Sequence, residues 1–278
     1  MSLTKHMPYL FESDVTSVKD YEDRMQEITR FISQFQKKDW KIFYRGDRYC
    51  AKTQSNFFRN GNIEKEAEIF EAWKKHQDKL PYSDDFMNLA YMQHEQGNTR
   101  LLDFSLDPLV ALRFACGKQG DNCRKKVTIY CTDHISLNHD KAQRKELLDS
   151  YMRLVQSDGN NLNHDSRWDH DVFVDVEGNF PRIKRQKGLF LIMGNFTTAE
   201  LFSGKDPNGK SQTMKVTHEL SENIGRGENC PGYVGVLAIA ADCVEKIRRE
   251  LELMPEYRID YLMDEETGAH HANRNKTI

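Results

Sequence analysis

The chain has 278 residues, of which 38% are hydrophobic and 30% charged, with 15 Phe, 11 Tyr and 3 Trp. That length is enough to bury a substantial core, and the aromatic content sets the sequence apart from a disordered segment. A formal net charge of −3 argues against a broad phosphate-backbone binder but leaves room for a local basic groove.

Six cysteines (Cys50, Cys116, Cys123, Cys131, Cys230 and Cys243) lie scattered without a CxxC pair, as expected of reduced thiols. No apolar run at the start suits a signal peptide, and no stretch nears the roughly 20 apolar residues of a membrane span. The expected compartment is the cytoplasm, with no membrane partner.

In chain order, Val18, Tyr21, Met25, Ile28, Ile32 and Phe35 recur every three or four residues, which predicts a helix capped by Ser17 within an N-terminal segment spanning 1–39. Ile42, Phe43 and Tyr44 predict a short buried strand that stops at Gly46 and delivers Arg45 to its end. A loop over 48–61 follows, then a helix capped by Asn62 and a second opened by Ser83, Asp84 and Asp85. Thr99 to Ser105 reads as extended or looped. Asp107 and Pro108 place an N-cap before a proline at the first helical position, and Gly117 is a natural stop for that helix. Further strands are predicted at 126–131, 172–176, 188–193 and 233–240, with helices over 140–155 and 242–253, a polar loop over 157–170 and a frayed tail over 265–278. The irregular interleaving predicts an α+β fold with a mixed or antiparallel sheet flanked by helices.

Three constellations carry candidate chemistry. Arg45 beside Gly46 can hold a phosphate or carboxylate, because a missing Cβ allows close backbone approach; the alternative is a structural ion pair. In the stretch from Gln93 to Ser105, His94 is a candidate acid or base, and Arg100 and Asp103 have complementary donors and acceptors that would let them pair with each other. Arg182, Lys184, Arg185 and Lys187 surround Gln186 ahead of a strand, a pattern that is either a solvated face or a phosphate-facing patch.

These residues, taken in order, resemble the FRG domain: Tyr44-Arg45-Gly46-Asp47, a helix containing Glu68, Gln93-His94, Thr99 to Asp103, Asp107 to Ala115, and Arg185-Gln186 before Gly188-Leu189-Phe190. The likeness covers roughly 40–195 within a domain spanning 40–264. Tyr44 stands where the family has its name-giving phenylalanine, and Glu95 to Asn98 shift the usual Gly-Leu-Pro stretch.

A more distant similarity is to ADP-ribosyltransferases of the arginine-serine-glutamate type, with the corresponding fold, carried by Arg45-Gly46 and by Asp103 to Ala115. It implies that Arg45 and Gly46 hold NAD, with NAD as substrate rather than resident cofactor, that Ser105 lies near the nicotinamide ribose, and that Arg100 helps bind. Gln186 stands where the catalytic glutamate is expected, and Asp103 where the first serine is. The catalytic set is therefore Asp103, His94 and Gln186, with either Asp103 supplying the carboxylate or the fold binding a nucleotide without turning it over. The protein or nucleic-acid target is left open, in a toxin or phage-defence setting. Two other readings compete. One is a metal-dependent nuclease using His94, Glu95 and Asp103, although no metal site of familiar spacing is predicted. The other is a non-enzymatic interaction module in which Arg45, Arg100 and Asp103 only fix the fold.

Overall fold

The computed structural model describes residues 7–35, 41–51, 53, 55, 66–96, 99–132, 141–156, 172–175, 181–192 and 232–263. Asn62, the 157–170 stretch, Cys230 and everything from residue 264 onward lie outside the described residues.

Local chemistry sets the elements. Helix α1 (Val18–Phe35) begins where the Ser17 hydroxyl accepts the Asp20 amide at 3.1 Å, and it buries the predicted Val18, Tyr21, Met25, Ile28 and Ile32 face. Strand β1 (Lys41–Arg48) leads to helices α2 (Glu66–Lys75) and α3 (Asp85–Gln96), then to strand β2 (Leu101–Ser105). Helix α4 (Pro108–Cys116) starts with the Asp107 carboxylate accepting the amides of Leu109 and Val110, and ends at Gly117 with φ +60°. Strand β3 (Lys125–Thr132), helix α5 (Lys141–Gln156), strand β4 (Val172–Val174), helix α6 (Pro181–Arg185) and strand β5 (Gly188–Ile192) follow. Strand β6 (Gly232–Ile239), helix α7 (Val244–Glu252) and helix α8 (Ile259–Met263) complete the described chain. No described helix is long and apolar enough to cross a membrane.

The strands form one six-stranded sheet in the order β4-β5-β2-β1-β3-β6, with every neighbouring pair antiparallel, as an α+β fold with an antiparallel sheet requires. One junction is unlike the rest. β1 and β3 pair over eight positions, whereas β1 and β2 share only Tyr44 opposite Ser105. The sheet is thus two three-stranded halves that part between Arg45–Arg48 and the start of β2.

The helices respect that division. On one face, α1, α4 and α7 cover β1, β3 and β6 in a core holding Tyr44, Val127, Ile129 and Leu237. On the same face α2, α3 and α5 cover β2, β4 and β5 in a second core built around Phe70, Trp73, Leu101, Phe190 and Ile192. The opposite face is shared by both halves and is held by strand residues, including Phe43, Phe104, Tyr130 and Phe173. Phe43 on β1 stacks on Phe173 on β4 with ring centroids 4.1 Å apart, although two strands lie between them. In a flat sheet three strand spacings would hold them about 14 Å apart. The sheet therefore curls, and this aromatic cluster is the inside of the curl.

Two local expectations change. Gly46 does not stop β1: the strand runs on to Arg48, and α4 crosses so close that a Cβ at residue 46 would meet the backbone of Ala111 and Ala115. The cationic stretch 181–185 forms the short helix α6 instead of leading straight into β5, with Ile183 buried in the second core.

Candidate functional site

The parting of the half-sheets gathers several of the expected residues. β2 alternates so that Leu102 and Phe104 enter the curl while Leu101, Asp103 and Ser105 face the helices. Four of its five residues are buried, and Asp103, at the centre, is exposed. A carboxylate open to solvent in the middle of an inner strand means that the two helical layers separate above it.

Contacts from three elements fix the surroundings of Asp103. The Gln93 amide, from the last turn of α3, donates to the Asp103 carboxylate at 3.0 Å, and the Gln93 carbonyl accepts the Thr99 hydroxyl at 2.7 Å. The Asp103 carbonyl, which has no β1 ladder partner, accepts Arg45 Nη1 at 2.7 Å. Arg45 Nη2 also lies 3.3 Å from Asp47, while its buried Nε has no hydrogen-bond partner among the described residues. One residue beyond Gln93, His94 Nε2 lies 3.4 Å from Arg182 Nη1 of α6. Asp103 and His94 are therefore tied to one region on the helix side, whereas Arg45 alternates with Tyr44 and Gly46 onto the curl side and reaches residue 103 through its carbonyl.

Other predicted site residues are engaged within the fold. Arg100 turns into the second core, where its Nε meets Glu66 at 2.6 Å with both side chains at most 7% exposed. The Tyr151 hydroxyl donates to the same carboxylate at 3.2 Å. Burial opposes the Arg100 charge, but the attraction of Glu66 and Tyr151 outweighs it and raises its pKa. Arg100 thus pairs with Glu66 in place of the expected Asp103: it sits in the bend just before β2 and turns back under the helices, while the Asp103 carboxylate at mid-strand is exposed. Glu66 was not singled out from the sequence. Its signal, an acid two residues before Glu68 at the start of a helix, matches many surface helices equally well.

Gly46 is occupied by packing against α4. Ser105 donates its hydroxyl to the Gln186 carbonyl at 2.7 Å and accepts the Asp107 amide at 2.9 Å. The Gln186 side-chain amide reaches the Leu262 carbonyl at 3.0 Å, fastening α8. Ser105 and Gln186 do meet, but through the Gln186 backbone. Among the described residues no three His, Cys, Asp or Glu side chains gather in a way that could hold a metal ion; His134, His139, His164, Asp165 and His170 lie outside them.

Residues 40–124 match the family model of the FRG domain, and the chain carries that domain. The match takes in Arg45, Gly46, Glu66, His94, Arg100, Asp103 and Ser105, and ends before Arg182 and Gln186. No curated protein and no solved structure shows significant similarity to the chain.

Proposed function

We propose that this FRG domain binds an anionic nucleotide such as NAD at the parting of the half-sheets, with ADP-ribosyl transfer as its chemistry and a cytoplasmic toxin or defence role as its setting. The observation that carries the reading is the exposed Asp103 carboxylate in an otherwise buried inner strand. Such a carboxylate suits the hydroxyls of a ribose. Guanidinium groups suit phosphates, and Arg45 uses only two of its groups on Asp103 and Asp47.

In this reading Asp103 supplies the carboxylate that steadies an oxocarbenium-like ribose as nicotinamide leaves. His94, braced by Arg182, is the proton carrier. Gly46 and Arg100 act from behind, by seating β1 on α4 and anchoring the start of β2. Ser105 and Gln186 close the edge where the half-sheets join.

The test is incubation of the purified protein with labelled NAD, following binding and nicotinamide release in the parent and in Asp103→Asn. Release that the substitution abolishes is the expected result. Binding without release removes the transferase activity and leaves the nucleotide site, and absence of binding at millimolar NAD overturns both.

A second reading, an interaction module without catalysis, draws on the intramolecular engagement of Arg100, Ser105, Gly46 and Gln186. It expects Arg45→Lys to lower the melting temperature while no nucleotide raises that of the parent.

A further inference from the structure

A second concavity lies on the other side of the Tyr44 and Ser105 pairing, where the half-sheets join. It is a groove of about 690 Å³ between α1, the turn from β2 into α4, Lys187 and Tyr257. That volume falls in the range of small-molecule sites. Tyr21, Met25 and Tyr44 form its floor and are buried, and Leu106, 42% exposed, presents an apolar side chain to solvent at its edge.

The polar groups differ in what they have left to offer. Asp107 is buried, and its carboxylate is taken by the Leu109 and Val110 amides, by Lys187 at 2.8 Å and by the Tyr257 hydroxyl at 3.3 Å. Lys187 uses one of its three donors there and leaves its side chain 61% exposed. It also holds φ +44°, a conformation that costs a non-glycine residue energy. Arg30 lines the groove from α1; its carbonyl accepts the Ser33 hydroxyl, and its guanidinium makes no hydrogen bond or ion pair with a described residue. Glu22 lines it eight residues earlier, about 12 Å away along the helix axis. The groove thus has an aromatic floor, a guanidinium near one end of α1's edge and a carboxylate near the other.

We infer that this groove is a binding site for a planar aromatic carboxylate that carries a hydroxyl or amino donor at its far end. The ring lies over Tyr44 and Met25, above the fully buried Tyr21, the acid takes the fork of Arg30, and the donor reaches Glu22. The site is independent of the proposed nucleotide cleft, which opens on the other side of the Tyr44 and Ser105 pairing.

Titration with hydroxynaphthoate, read by NMR of methyl-labelled methionine with the Met25 signal assigned through Met25→Leu, tests the site. The expected result is a saturable shift of the Met25 methyl. The uncharged hydroxynaphthamide should bind at least about tenfold more weakly, and Arg30→Gln should erase that preference. Thr29→Trp, which fills the groove from an exposed position, should abolish the shift, and Asp103→Asn should leave it unchanged. No Met25 shift, or equal affinity for acid and amide in the parent, overturns the inference.

Discussion

Two arginines of the FRG stretch sit in opposite circumstances. Arg100 is sealed in the core of one half-sheet with Glu66 and Tyr151, whereas Arg45 spans the parting of the halves and holds the backbone of a residue whose carboxylate faces water. The same side-chain chemistry therefore seals a core in one place and bridges the open flank of a strand in the other. Strand pairing makes the difference. β2 has a complete ladder to β5, so its outer neighbours pack, and a single pairing with β1, so one flank stays open.

The comparison is broken most severely by Arg100→Met, which leaves Glu66 buried without its cation. We expect a loss of about 3–5 kcal/mol in urea unfolding, partly recovered when Glu66→Gln is added. Gly46→Ala comes next, because backbone stands in the way on the α4 side and neither element can yield by rotating a side chain. Overpacking of this kind should cost about 2–3 kcal/mol in the same assay. Arg45→Lys should cost less, about 1–2 kcal/mol, since one ammonium cannot reproduce the fork between the Asp103 carbonyl and Asp47.

A control outside both regions is read by its pH dependence and not by its total cost, because Lys125, which pairs with Asp121, is itself buried. Hydrogen bonds from Lys125 and then Cys123 hold the Asp121 carboxyl well below the usual carboxylate range. Its folded value lies under the unfolded one of about 3.9. Its contribution is therefore present above about pH 4 and is lost as pH falls toward the folded value. Asp121→Asn should flatten the acid limb of the stability profile without altering the response to nucleotide.

Much of the fold was legible because it is written locally. The α1 face, the Asp107 cap and the Gly117 stop each depend on a few neighbouring residues, and they fall where spacing and cap chemistry put them. Gly46 was read as an approach point for a ligand or a strand end, yet the approaching backbone belongs to α4, a partner fixed only by tertiary packing. Glu66 escaped notice for the same reason, being joined to Arg100 across 34 positions. Asp103 stood out from the sequence as a partner for Arg100 and as the residue in place of the first serine, but its exposure depends on the single β1 and β2 pairing, which no periodicity encodes. Helix α6 was hidden beneath its charges, with Ile183 as its one buried residue.

The central claim is that the parting of the half-sheets, and Asp103 in particular, meets the ligand while the Arg100 network does not. Calorimetric titration of NAD into the parent and into Asp103→Asn tests it most directly, with the melting temperature of each recorded alongside. The account predicts saturable binding to the parent and at least about tenfold weaker binding to the variant, at an unchanged melting temperature. Equal affinity of the two proteins, or no heat of binding to the parent at millimolar NAD, would contradict it.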